Sequence, residues 1–282
     1  MRLVVVLHRD KSTSLALAEA AHLAQALQPD MTLVGVAAPG GSQREWLEIL
    51  RESRRELLRE MGGAIVYPAD ETCYKLVRPR AGLWEERPET TNGHRELILK
   101  LRVGLPGRQV LAELAEGGAD LVLVGANGHE QLWEPGYRIG MKLVRKGGAA
   151  VMVVKGGLRW PGQIVWCVGS TSFSAQVKNL IKTLVELYKV GLDVVGIGDA
   201  GQLRAKLKED FGELWSWYAS RSLPLWVEEL PTAMVEDFLK EQVRRGIVIL
   251  DMSRHSPFSR IVSPRFLNEL LHKAKAPVVI LP

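Results

Sequence analysis

Cysteine is nearly missing. The 282 residues hold two, Cys73 and Cys167, too few for a disulfide framework and without the paired spacing of a metal site. A reducing cytoplasm is therefore the expected setting. Long apolar runs are missing as well; nothing approaches the roughly 18 consecutive residues that a membrane-spanning helix needs. The opening MRLVVVLHRD carries one early Arg and a short apolar stretch, which reads as a first strand and not as a signal peptide. Nor is there a strong excess of one charge. Lys and Arg total 37 against 32 Asp and Glu, a net +5, and the signs are interspersed, unlike the clustered basic stripe of a nucleic-acid-binding protein. What remains is a mild attraction for anions such as nucleotides. No nucleophile, acid or base stands at a fixed spacing to another, so a non-catalytic protein is expected.

What is present is repetition. TLVGVAAPG, starting at Thr32, parallels DVVGIGDAG, starting at Asp193, and LVLVGANGH at Leu121 parallels VILDMSRH at Val248. Leu105-Pro106 matches Leu230-Pro231, and AAVMVV at Ala149 matches APVVIL at Ala276. Early matches are offset by 161 positions and later ones by 125 to 127, so the first copy holds some 35 extra residues. Two copies of one unit are expected, at residues 1–155 and 163–282, with an insertion at about 62–95 in the first.

Within each copy, short β-branched runs alternate with stretches of helical period. Runs such as Leu3 to Leu7 lack polar alternation, as strands covered on both faces do. The pattern predicts an α/β fold: two tandem five-stranded parallel doubly wound sheets with helices on both faces. In the insertion, Tyr74 to Val77 is expected to add a strand beside Leu97 to Val103, with an exposed loop in the Pro- and Thr-rich middle. Trp215, Trp217, Tyr218 and Trp226 are expected to pack as an aromatic cluster in a core or interface.

Ligands of such sheets bind where strand order reverses, at the carboxyl ends of the strands. In the first copy the loop after the fourth strand is GANGHEQLWEPGYRIGMK. Gly125 and Gly128 admit a close approach of backbone N–H groups to a phosphate, or serve only a tight turn. This loop, and the run GLPGRQVLAELAEGGADLVLVGANGH before it, resembles the universal stress protein family, whose nucleotide-binding members carry G-x2-G-x9-G-[ST] here. The chain is similar to a tandem member of that family. The resemblance implies adenine nucleotide (ATP) binding by the first copy, with His8, Asp10, Gly125, Asn127, Gly128, His129, Gly140 and Met141 as candidate contacts. It departs from the family in three places. His8 stands where the first-strand acid belongs, Gly136 and Gly140 miss the third-glycine spacing, and Met141 follows where Ser or Thr is expected.

In the second copy Asp251, Arg254, Pro264 and Arg265 replace the Gly, Gly, Gly and Ser positions. A carboxylate repels a phosphate and proline has no N–H to give, so this copy is expected to be structural, with Asp251 and Arg254 paired across the turn. His129 and His255 read as turn or surface residues, and Ser12, Thr13 and Ser14 as the cap of the first helix. No metal is expected. Through the family's habit of dimerising by the fifth strand, the resemblance also implies an intramolecular pseudo-dimer in which Val151 to Val154 lies beside Val278 to Leu281, with a homodimer as a further possibility. The functional expectation is a cytoplasmic stress-response protein without catalysis; the alternatives are a scaffold that binds no nucleotide, and a slow ATPase.

Overall fold

The computed structural model describes residues 1–62, 66–91, 93–126, 143–144, 146–156, 161–168, 175–197, 205, 209, 212–221, 223–253 and 256–282. They form two compact units: the first holds the described residues through Ala126 together with Lys146 to Val154, and the second holds Leu143 and Val144 together with the described residues from Lys155 onward. No helix among the described residues is long and apolar enough to cross a membrane.

In the first unit, strands β1 (Arg2–Leu7) and β2 (Asp30–Ala37) flank helix α1 (Ser12–Leu27), and α2 (Gln43–Glu60) follows. The insertion then contributes β3 (Tyr74–Arg80) and β4 (Leu83–Pro88). After it come β5 (Leu97–Val103), α3 (Pro106–Gly117), β6 (Leu121–Ala126) and β7 (Ala150–Lys155). The strand order is β7-β6-β1-β2-β5-β4-β3. β1 pairs in parallel with both β2 and β6, and β2 with β5. The chain therefore builds outward from β1 in one direction and returns to its other side with β6, which places the reversal of strand order between β1 and β6. Leu3, Val4, Val5 and Val6 have no solvent exposure at all, as a centrally placed strand requires.

Five strands and one added by the insertion were expected here, and seven are found. The correction lies in the insertion: β3 does not pair with β5 but with β4, and β4 pairs antiparallel with β5. Neighbouring residues of a strand face opposite sides of its sheet, and Glu85 and Glu86 use this to meet both helix layers. Glu86 reaches α2, where Arg54 lies 3.3 Å and Arg51 2.9 Å away. Glu85 turns to the other face and meets Lys100 at 3.2 Å. Lys100 continues to Glu113 of α3 at 3.0 Å, and Arg102 bridges Glu113 and Glu116 at 2.7 and 2.6 Å. The hairpin is thus attached by ion pairs on both faces. Its outer strand blunts its own edge with Lys75, Arg78, Pro79 and a register shift between Val77 and Arg80, which discourages pairing with another chain.

In the second unit, β8 (Gln163–Val168), α4 (Ala175–Tyr188), β9 (Gly191–Gly196), α5 (Gly212–Ser220) and β10 (Leu225–Glu229) come first. Then follow α6 (Val235–Gln242), β11 (Ile247–Asp251), α7 (Pro257–Ile261), α8 (Pro264–Lys273) and β12 (Val278–Leu281). The strands run β10-β9-β8-β11-β12, with every neighbouring pair parallel. Pro257 and Pro264 sit in the first turns of their helices, where no N–H is needed, and Ser256 and Ser263 cap them. Of the expected aromatic cluster, the Trp215 side chain lies outside the described residues, and the other members divide. Tyr218 is buried and makes an edge contact with Trp217 at 5.2 Å between centroids, whereas Trp226 is 62% exposed.

Candidate functional site

The loop after β1 is locked by its own side chains. The Thr13 hydroxyl donates to the His8 carbonyl and accepts the His8 N–H, both at 2.8 Å. Asp10 Oδ1 accepts the Ser12 N–H at 2.7 Å and the Ser12 hydroxyl at 2.5 Å. Asp10 therefore satisfies an orphan donor at the start of α1, the work expected of Ser12 and Thr13, and those two residues are buried braces.

His8 is only 7% exposed. Burial pulls its pKa down to about 4, against a smaller upward pull from the Asp10 carboxylate. The imidazole is neutral at physiological pH.

Gly125 ends on the other side of β1, and its lack of a side chain has a packing cause. A Cβ there would stand 1.9 Å from the Ser12 carbonyl oxygen, so β6 approaches the first turn of α1 closely enough to admit only glycine. Asn127, Gly128, His129, Gly140 and Met141, with Gly136, lie outside the described residues. Of the eight candidates, the structure places His8, Asp10 and Gly125, all around the junction of β1, α1 and β6.

An open cleft of about 270 Å³ lies at the carboxyl ends of β1, β2 and β5. Leu7 and His8, Val36 and Ala38, and Gly104 with Pro106 line it, and Arg9 and Trp46 stand with them. Trp46 is buried because β2 makes room for it: a Cβ on Gly35 would lie 2.8 Å from the indole. The Arg9 guanidinium sits 5.1 Å above the centroid of the Trp46 ring and pairs with Glu45 at 3.2 Å. Among the described residues the cleft is apolar with one cation, a surface suited to a flat heteroaromatic group. Sequence reasoning missed Trp46 and Arg9. An aromatic residue at helical spacing and an arginine just past a strand carry no ligand signal of their own, and the glycine opposite Trp46, Gly35, was the available hint.

The second unit fills the corresponding loop. Asp251 is buried and accepts the Ser253 N–H at 3.0 Å, while the Ser256 hydroxyl donates to the Asp251 carbonyl at 2.6 Å. The expected Asp251–Arg254 pair cannot be placed, since Arg254 and His255 lie outside the described residues. Both cysteines are free; Cys73 is half-buried and Cys167 buried, and burial pushes the Cys167 thiol up. Among the described residues no group of three or more His, Cys, Asp or Glu could hold a metal ion.

No family model and no curated protein matches the chain. Solved structures do. A universal stress protein from Archaeoglobus fulgidus DSM 4304 aligns with a TM-score of 0.58 at 10% identity, covering 99% of this chain and 97% of that one. A putative universal stress protein from Pseudomonas aeruginosa UCBPP-PA14 aligns at 0.54 and 14%, covering 99% and 92%. The cytoplasmic domain of a prokaryotic cation chloride cotransporter aligns at 0.55 and 10%, covering 99% and 94%. At such identities the likeness is one of fold, and the chain has the mostly parallel α/β fold of universal-stress-protein-like domains.

Proposed function

We propose that the first unit binds an adenine nucleotide weakly, ATP included, that the second unit is a structural partner, and that the protein serves a stress response without catalysis. The observation that carries this reading is the cleft at the carboxyl ends of β1, β2 and β5, with Trp46 beside neutral His8. Its volume suits a base more than a whole nucleotide, so the phosphates would extend outward toward the β1–β6 reversal. Among the described residues, two titratable groups near that reversal support the absence of catalysis. His8, with a pKa near 4, is a poor base at neutral pH, and Asp10 is occupied at α1. The second unit's structural role is supported by Asp251, whose carboxylate and carbonyl both close its own loop.

Thermal unfolding with and without 5 mM ATP tests the reading. A dissociation constant about a hundredfold below that concentration adds about 2.7 kcal/mol of stability. A rise in the midpoint that Trp46→Ala removes is expected. No shift at 5 mM ATP would favour the alternative, a scaffold that binds no nucleotide. That alternative draws support from the capped, self-satisfied β1–α1 loop and from the occurrence of this fold in a transporter's cytoplasmic domain.

A further inference from the structure

Resting on that nucleotide reading, we infer that Arg9 is the anion-recognising residue of the cleft, and that Glu45 is a built-in competitor which holds it until an anionic ligand displaces the carboxylate. Among the described residues lining the cleft, Arg9 is the one with a charged side chain, since His8 is neutral. The start of α1 offers a negative group instead of free donors there: Asp10 already takes the Ser12 N–H and hydroxyl. The guanidinium lies over the Trp46 ring, 5.1 Å from its centroid, which holds it beside the cleft. Its counter-ion is weakly held. The Arg9 and Glu45 side chains are 43% and 64% exposed, and ion pairs of that kind contribute little. A phosphate that takes both prongs of the fork binds more strongly than a solvated carboxylate contacting one nitrogen. The ligand class follows: a flat heteroaromatic base carrying an anionic group, with the nucleotide preferred over its nucleoside and the preference weakened by salt.

Calorimetric titration of the full chain with adenosine and with AMP, at low and at high salt, tests this. Wild type should bind AMP roughly tenfold more tightly than adenosine at low salt, as a charge-assisted pair allows, and less so at about 0.5 M. Arg9→Gln should collapse the AMP-to-adenosine ratio toward one, while Arg9→Lys keeps part of it. Glu45→Gln should widen the ratio about two- to fivefold, the scale of one exposed ion pair. An Arg9→Gln protein with the wild-type ratio overturns the role of Arg9, and an unchanged ratio in Glu45→Gln overturns the competition. If wild type binds neither compound, the base-binding reading fails and takes this inference with it.

Discussion

His8 is a buried imidazole with a folded-state pKa near 4, and this gives it a definite signature in stability. Above pH 6.5 it is neutral both folded and unfolded and contributes nothing to pH dependence. Below that value the unfolded chain binds a proton that the folded one refuses, so stability falls until the pH reaches about 4. The loss is up to roughly 3 kcal/mol. Urea midpoints of His8→Gln should therefore fall less steeply than wild type between pH 6.5 and 5. Some slope should remain, because burial lowers half-buried His22 in the same direction. Parallel pH profiles would show that His8 is solvated. Gly125 gives a second residue-scale expectation. Gly125→Ala forces a methyl toward the Ser12 carbonyl and should cost about 2–3 kcal/mol in chemical denaturation; a neutral outcome would mean β6 and α1 are not so close. The sequence marked Gly125 as special for its place in a phosphate-like motif, yet its contact is with a helix. A glycine that a turn, a ligand or a neighbouring backbone requires looks the same in sequence.

The hairpin of β3 and β4 is the element whose energetics are most distinctive. Arg54 is 1% exposed and sits between Glu86 and Glu71 with its guanidinium 4.3 Å above the Tyr74 ring. Removing one partner of a buried pair leaves an uncompensated charge and typically costs 3–5 kcal/mol. Glu86→Gln should approach that range, whereas Glu48→Gln, at an exposed pair on the same helix, should stay under about 1 kcal/mol. Equal effects would mean the hairpin is held by its backbone ladder alone. The acid response has the opposite origin from that of His8. Hydrogen bonds from arginines depress Glu71 and Glu116 to about 2. Their contribution is complete above the ordinary glutamate value and is lost as pH falls from there toward 2. The hairpin should therefore loosen below about pH 4, read as faster amide exchange in residues 74–88, and salt should hasten the loss. In sequence the β1–β2–β5 core was plain because β1 is an unbroken apolar run from Leu3 on and β2 and β5 are mostly apolar, with Lys100 and Arg102 the two charges inside β5. β4 was not, because LWEERP has no alternation and its two glutamates look solvent-facing. They are buried only because Lys100, Arg51 and Arg54 come from elements distant in the chain to meet them.

At the scale of the whole molecule the two copies share strand register and differ in what the register carries. Thr32 lies opposite Ile98 in the first unit, and its counterpart Asp193 lies opposite Trp226 in the second. Two residues further along, Lys100 of the first unit corresponds to Glu228 of the second. Lys100 is buried between Glu85 and Glu113, whereas Glu228 is exposed; burial, and secondarily its negative charge, raise the pKa of half-buried Asp193. The inserted hairpin gives Lys100 one of its two partners, Glu85, so the insertion and this charge difference belong together physically. The same divergence separates the carboxyl ends of the strands: an open cleft beside Trp46 in the first unit, and in the second Asp251 and Ser256 joined to one another. The most direct measurement of nucleotide binding at the first unit's cleft is hydrogen–deuterium exchange of the full chain with and without saturating ATP. Protection is expected in residues 7–10, 36–46 and 104–109, with no change in 251–262. Absence of protection in the first set, or protection confined to the second, would contradict it.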